Sequence, residues 1–403
     1  MKILVIGSGG REHALCWKLA QSPGVEVFAD PGNPGMAQVG TCVPGEPLAV
    51  AEALGADLTV VGPEVPLVDG LVDRFLARGL RIVGPRAEAA RLEGSKVFAK
   101  NFFVQTNIPT ADYVTVEDAT HARMALGRFR FPVVLKADGL AAGKGVIIAH
   151  DAAEAHAALA TLKGPLVIEE FLRGEEVSFI ALCDGRDAVA LEPTQDHKAV
   201  FDGDLGPNTG GMGAYCDSAI LSAAAAREVM ERVIYPTVEA TRFTGFLYAG
   251  LMMTAEGPKV LEFNVRMGDP ETQPLMHRME SDLVPLLEAA ADGRLGGAKI
   301  AWKPGPSVCV VMASAGYPGS YESGKEIAGV AAAELAGATV FHAGTRHLHG
   351  RLETAGGRVL GVTASGPDLE GAIAGAYRGV EKIRFEGMQY RRDIGAKGLK
   401  RAR

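Results

Sequence analysis

One pattern at the start of the chain restricts the fold more than any other. Residues 2–6 form a short apolar, β-branched run, residues 7–10 a glycine turn, and residues 12–21 carry Ala14, Leu15, Leu19 and Ala20 at helical spacing. The cycle then repeats. Strands are expected at 25–29, 58–61 and 81–83 and helices at 49–54 and 68–78, with Asp30-Pro31-Gly32-Asn33-Pro34-Gly35 and Gly62-Pro63-Glu64 as turns. Such strands are apolar without alternating, so both of their faces are buried. That implies a parallel sheet covered by helices on both sides, with ligands gathering at the carboxyl ends of its strands.

The texture changes after a helical stretch at 87–103, which ends before Ile108-Pro109, where proline disfavours a continuing helix. Longer β segments follow at 131–136, 145–149, 166–170, 176–183 and 188–192, with a helix at 152–162. A helix at 223–241, strands at 247–254 and 258–264, and a helix at 282–292 complete this segment. Residues 293–303 read as a linker and 308–403 as a third α+β unit. Connections at 138–145 and 194–214 are long and rich in glycine, which is uncommon inside a compact domain unless they serve a function.

Composition excludes several classes. Glycine supplies 51 of 403 residues, about 13% against a usual ~7%, yet 47% apolar content and scattered positions fit neither disorder nor collagen. A net charge of −7, from 41 basic and 48 acidic side chains, offers no basic field for nucleic acid. Cys16, Cys42, Cys183, Cys216 and Cys309 are far apart, with no CxxC pair, so neither a zinc site nor a disulfide framework is signalled, and a reducing cytoplasm is expected. No apolar run approaches the ~20 residues that span a bilayer, and the N-terminus lacks a secretory pattern.

Several motifs carry chemistry. Gly7-Ser8-Gly9-Gly10 after a first strand invites a dinucleotide reading, but Glu12 stands where a third glycine is needed, and no acidic residue ends a clear strand about twenty positions on. What survives is a nest of backbone N–H groups suited to a phosphate or carboxylate. Asp138 to Gly145 joins two strands with three glycines and Lys144, and lacks the Ser or Thr and following helix of a Walker A loop, so it suits a flap over a nucleotide. Lys136 lies in an apolar strand, where an unpaired lysine is costly. Glu169 and Glu170 end another apolar strand, near Glu175 and Glu176, a weak signal for a nucleoside site. In Lys259 to Arg266, Glu262, Asn264 and Arg266 share one face of a strand by its period of two. Hard oxygen donors beside a guanidinium are how Mg²⁺ and phosphate oxygens are commonly held together. Residues 195–213 pack polar groups and five glycines into one loop, as a substrate loop would.

In combination, GSGGREHAL from Gly7, PGNPG from Pro31, GPEVPLVDG from Gly62, SKVFAK from Ser95, KADGLAAGKGV from Lys136 and EEFLRGEEVS from Glu169 stand in one order. QDHK from Gln195, GPNTGGMGAY from Gly206, EFNVRMGDPETQ from Glu262, FHAGT from Phe341 and GGRVLGVTA from Gly356 continue the series to near the end of the chain. The sequence thereby resembles the glycinamide ribonucleotide synthetases (phosphoribosylamine–glycine ligases) of the ATP-grasp superfamily. The resemblance implies an N-terminal α/β substrate domain (1–101), a two-part ATP-grasp α+β region (102–303) with a mobile lid at about 115–185, and a C-terminal α+β domain (304–403). It implies ligation of glycine to 5-phosphoribosylamine by way of glycyl phosphate, with ATP as co-substrate and Mg²⁺ or Mn²⁺ as cofactor, in de novo purine biosynthesis. The expected enzyme is a cytoplasmic monomer with small-molecule substrates, without nucleic acid or membrane.

The same resemblance implies roles by position. Glu262 and Asn264 match metal ligands; Arg266 and Lys136 match catalytic groups on the transferred phosphoryl. Lys100, Lys136 and Lys144 match nucleotide lysines, Glu169 and Leu172 an adenine hinge, and Glu176 a ribose contact. Asp196, His197, Lys198, Asn208 and Thr209 fall in the substrate loop, and Gly9, Gly10, Arg11 and Asn33 in part of the phosphoribosylamine site. Ala199 stands where arginine is usual, Cys216 where serine is, and Met267 where phenylalanine is, so no salt bridge is expected from position 199. Another ATP-grasp carboxylate-amine ligase would release ADP without needing glycine, and a non-catalytic nucleotide-binding regulator would bind ATP without turnover.

Overall fold

The computed structural model describes residues 1–140 and 145–401, so Lys144 lies outside the described residues. Strands β1 (Lys2–Gly7), β2 (Glu26–Pro31), β3 (Thr41–Cys42), β4 (Leu58–Val61) and β5 (Ile82–Val83) form a sheet in the order β3-β2-β1-β4-β5. Every pairing is parallel, as the strand-helix alternation predicts. Ile3, Leu4, Val5, Leu58 and Val60 are fully buried, which explains the absence of alternation. From β1 the chain adds β2 and β3 on one side and then crosses to β4 and β5 on the other, which opens a crevice at the carboxyl ends of the strands where the order reverses.

Two expected helices are broken. That expected at 68–78 is helical at Leu71–Ala77 only, because Gly70 separates it from Val68, the last residue of helix Glu64–Val68. Residues 87–103 divide into Ala87–Gly94 and Lys96–Gln105, because Ser95 is extended and its hydroxyl accepts the Phe98 N–H as an N-cap. The same hydroxyl donates to the Asp138 carboxylate at 3.0 Å, tying the break to the residue that follows the strand Val133–Ala137.

Strands β6 (Tyr113–Val116), β7 (Val133–Ala137), β8 (Val146–Ala149) and β9 (Leu166–Glu170) make an antiparallel sheet in the order β6-β9-β7-β8. With helices Ala119–Ala125 and Ala152–Thr161 it encloses its own core of Ala122, Leu135, Leu159, Leu166 and Ile168. The remaining strands are β10 (Glu175–Asp184), β11 (Ala188–Ala190), β12 (Thr194–Asp196), β13 (Ala199–Phe201), β14 (Leu205–Asn208), β15 (Gly213–Cys216), β16 (Thr244–Thr254), β17 (Gly257–Asn264), β18 (Ser307–Ala313), β19 (Thr339–His342), β20 (Thr345–Leu348), β21 (Arg351–Thr354) and β22 (Arg358–Ser365).

A central sheet runs β17-β16-β10-β12-β15-β18-β22-β19, and β11 pairs with β10. The stretch expected as a loop at 194–214 therefore contains two sheet strands and the β13–β14 hairpin. The third unit has its own core, where Val310, Met312, Leu360 and Val362 meet Ala376 and Val380 of helix Leu369–Val380. Its strands nonetheless extend the central sheet, through β15 against β18. Helix Thr272–Arg278 packs on both helix Gly10–Leu19 and β22, with Leu275 and Met276 in one core with Leu15 and Leu19, joining the two ends of the chain.

Candidate functional site

Strand β17 aims the row foreseen in the sequence. Leu251 pairs with Val260 and Gly250 with Glu262, which leaves Leu261 as a bulge. The extra residue resets the alternation: Val260, Phe263 and Val265 enter one core, while Glu262, Asn264 and Arg266 line a cavity of about 120 Å³. Lys96, Lys100, Lys136, Glu169, Glu64 and Glu93 line the same cavity. The carbonyl of the bulged Leu261 accepts from Lys136 Nζ at 3.0 Å.

Burial would raise the Glu262 carboxyl, but Lys198, Lys136, Lys96 and Arg266 outweigh it and hold the acid below its ordinary value. Lys198 Nζ lies 4.0 Å from Glu262 Oε1 and 2.6 Å from Glu176 Oε1. Among the described residues no group of three or more His, Cys, Asp and Glu converges on a metal position. An anionic carboxylate beside an amide oxygen is thus the donor set on offer, and it fits a hard divalent cation whose shell phosphate and water complete.

Glu169 is 2% exposed and sits between Lys100 Nζ at 3.2 Å and Lys136 Nζ at 3.0 Å. Its carboxylate thus compensates two buried lysines, while Leu172, just past β9, is buried and does not line the cavity. Burial and then Lys136 pull Lys100 down to about 8 against the attraction of Glu169. Lys96, which sequence reasoning left without a role, donates to the Gly139 carbonyl at 2.7 Å.

The loop at 195–213 is fastened at several points. Thr209 Oγ1 donates to the Lys198 carbonyl at 2.8 Å and accepts from the Gly211 N–H at 2.9 Å, while Asn208 is exposed on β14. Burial, with Glu271, Glu176 and Glu262 nearby, raises Asp196 to about 8 despite Lys198. His197 is 1% exposed and lowered to about 4 by burial and by Arg391 and Lys397; its Nε2 accepts from the Gly395 N–H at 3.3 Å. Arg391, equally buried, donates to the Ala199 carbonyl at 3.1 Å and to Asp204 at 2.9 Å. Position 199 therefore anchors the loop through its backbone.

A second cleft, of about 460 Å³, opens at the carboxyl ends of β1, β2 and β4, lined by Gly9, Arg11, Asp30 and Asp269 among others. Here the structure corrects two expectations. The glycine nest is not vacant for a ligand anion, because Glu12 fills it: Gly9 N–H donates to Glu12 Oε2 at 2.6 Å and Arg11 Nε to Glu12 Oε1 at 2.5 Å. A Cβ on Gly7, where φ is +125°, or on Gly62 would collide with the Glu12 side chain, so those glycines make room for this carboxylate. An acidic residue also does stand near the end of a strand about twenty positions on. β2 runs two turn residues further than expected, to Pro31, and Asp30 is its penultimate residue.

Gly10 is packed against Gln273, and Asn33 is fully engaged within the protein. Asn33 Nδ2 donates to the Ser8 and His342 carbonyls, both at 2.9 Å, while Oδ1 accepts from Gly35 and Met36. Sequence reasoning also missed Glu64, Glu93 and Arg358. Arg266 Nε donates to Glu64 at 3.2 Å and its NH2 to Glu93 at 2.6 Å. Arg358 bridges the Gly210 carbonyl at 2.6 Å and Asp269 Oδ2 at 3.0 Å. Glu64 and Arg358 fall within the quoted GPEVPLVDG and GGRVLGVTA motifs, whereas Glu93 has no local signal.

Residues 1–93, 94–272 and 307–397 match the N domain, the ATP-grasp (A) domain and the C domain of the phosphoribosylglycinamide synthetase family. The phosphoribosylamine–glycine ligase of Pseudomonas aeruginosa is 50% identical over the whole chain and 99% of its own length, and that of Ralstonia nicotianae is 48% identical over all of both. The crystal structure of the phosphoribosylamine–glycine ligase of Thermotoga maritima superposes with a TM-score of 0.86 at 37% identity, covering 98% of this chain and all of that one. A biotin carboxylase domain from Hydrogenobacter thermophilus, solved with MgADP, shares the fold at 15% identity and a TM-score of 0.72, covering 96% of this chain and 91% of that one. With three family domains in order and half its residues identical to such relatives from end to end, the chain belongs to the phosphoribosylglycinamide synthetase family of ATP-grasp ligases.

Proposed function

We propose that the chain joins glycine to 5-phosphoribosylamine in de novo purine biosynthesis, converting ATP to ADP and phosphate. The observation that carries this reading is the row of Glu262, Asn264 and Arg266 opening onto one cavity with Lys96 and Lys136. Glu262 and Asn264 would hold Mg²⁺ or Mn²⁺, which when bound neutralises and aligns phosphate oxygens. Lys136 and Arg266, supported by Lys100 and Lys144, hold the charge of the transferred phosphoryl; Leu172, Glu169 and Glu176 border the nucleoside. A glycine carboxylate oxygen attacks the γ-phosphorus and ADP leaves. The phosphoribosylamine nitrogen then attacks the carbonyl carbon of glycyl phosphate, a C–N bond forms, phosphate leaves, and the amine gives up a proton. Asp196, His197, Lys198, Asn208 and Thr209 shape the loop beside glycine and phosphoribosylamine; Gly9 and Arg11 line the phosphoribosylamine side, braced by Gly10 against Gln273 and by Asn33 on the Ser8 and His342 carbonyls. The enzyme works as a monomer in the cytoplasm on small-molecule substrates, and its net charge of −7 offers no basic field for nucleic acid.

In a coupled assay ADP release should require both glycine and phosphoribosylamine; release that ignores glycine would refute the assignment. Glu262→Gln should lower kcat by about 10²–10³-fold with the melting temperature held within a few degrees. Unaltered turnover would remove Glu262 from the metal site.

A further inference from the structure

The second cleft holds one group that the protein leaves unsatisfied. Asp30 is 3% exposed; its Oδ1 accepts the Gly45 N–H at 3.0 Å, while the buried Oδ2 has no partner. A buried carboxylate oxygen without a donor costs free energy until something donates to it. Burial raises this acid despite the Gly45 N–H, and Glu46 adds to the rise, so a hydroxyl donor would relieve it.

The surroundings restrict the donor. Asp30 is the penultimate residue of the second strand of a doubly wound sheet, at the end where a carboxylate meets ribose hydroxyls. Glu12 occupies the glycine turn that would otherwise take a dinucleotide pyrophosphate, so a smaller ligand is required. Arg11 spends Nε on Glu12 and one NH1 hydrogen on the Met267 carbonyl at 3.2 Å, which leaves three of its five N–H groups for a phosphate in the same cleft. A phosphorylated pentose combines these demands.

We infer that Asp30 accepts the vicinal 2- and 3-hydroxyls of the ribose in the phosphoribosyl substrate, and so makes the cleft selective for ribose over deoxyribose. This rests on phosphoribosylamine being the acceptor, as proposed above. The probes are ribose 5-phosphate and 2-deoxyribose 5-phosphate as inhibitors competing with phosphoribosylamine. Ribose 5-phosphate should inhibit the unmodified enzyme about tenfold more tightly or better. Asp30→Asn keeps the shape and an oxygen for Gly45. It should raise the KM for phosphoribosylamine by about tenfold or more, abolish the preference between the sugars, and leave the KM for ATP and glycine within about twofold. Equal inhibition of the unmodified enzyme by the two sugars, or none by either, overturns the inference whether or not the variant folds. A preference retained in the variant does the same. ADP release that ignores phosphoribosylamine would instead sink the acceptor assignment, and it is read from the unmodified enzyme alone.

Discussion

The arginine of the β17 row is not free to swing. Glu93 takes its NH2 at 2.6 Å and, through the other carboxylate oxygen, the Val265 N–H at 2.8 Å, while Glu64 takes Nε. Glu93 thus acts as a positioning residue: it fixes both the guanidinium and the backbone that carries it. Glu93→Gln should lower kcat by about tenfold to a hundredfold with the KM for ATP little changed. The loss should vanish in an Arg266→Lys background, because the two changes remove one interaction; additive losses would show that Glu93 acts elsewhere. Glu262, Asn264 and Arg266 were legible in the sequence because a period of two is a local property. Glu93 was not, since it lies 173 residues from its partner and no spacing records such a meeting. Glu12 was visible only as a missing glycine, and Asp30 only as a turn residue, because which group fills a nest or ends a strand depends on packing from the other side.

Among the elements, helix Gly10–Leu19 and β19 meet through histidines. The His342 N–H donates to His13 Nδ1 at 2.8 Å, and Asn33 donates to the His342 carbonyl. His13 and His342 are 4% and 2% exposed. Burial, then His342, lowers His13 to about 3; burial, then His347, lowers His342 to about 4. Above pH 6.5 each is neutral whether the chain is folded or not. Below it the unfolded chain takes up protons that the folded one refuses, so stability falls as pH drops from about 6.5 toward 4. His342→Asn should make that fall shallower by roughly 1.4 kcal/mol per pH unit in urea titrations; an unchanged slope would show that this histidine does not titrate with unfolding. The strand-helix order of the first sheet was legible because full burial leaves an uninterrupted apolar run. The break at Ser95 and the strands within 194–216 were not. Asp138 and the neighbouring strands decide them, and both are supplied by distant parts of the chain.

At the scale of the molecule the four-stranded sheet β6-β9-β7-β8 closes on its own small core, whereas the central sheet is continuous from β17 to β19. That separate core should make it a cooperative unit of lower stability. Amides of β7 and β9 should exchange with solvent at lower opening free energies than those of β10 and β16, and a non-hydrolysable ATP analogue with Mg²⁺ should slow the β7 and β9 amides most. Uniform protection before and after ligand would mean that the two sheets open together. Continuity of the central sheet has another consequence, set by the direction of synthesis. β15 is complete at Cys216, but its partner β18 begins at Ser307, roughly ninety residues later. At about 5–20 residues per second a ribosome needs about 5–20 s to deliver it. Throughout that interval one edge of the half-built sheet stands open to other chains, so the passage most exposed to misassembly comes while the enzyme is still being made.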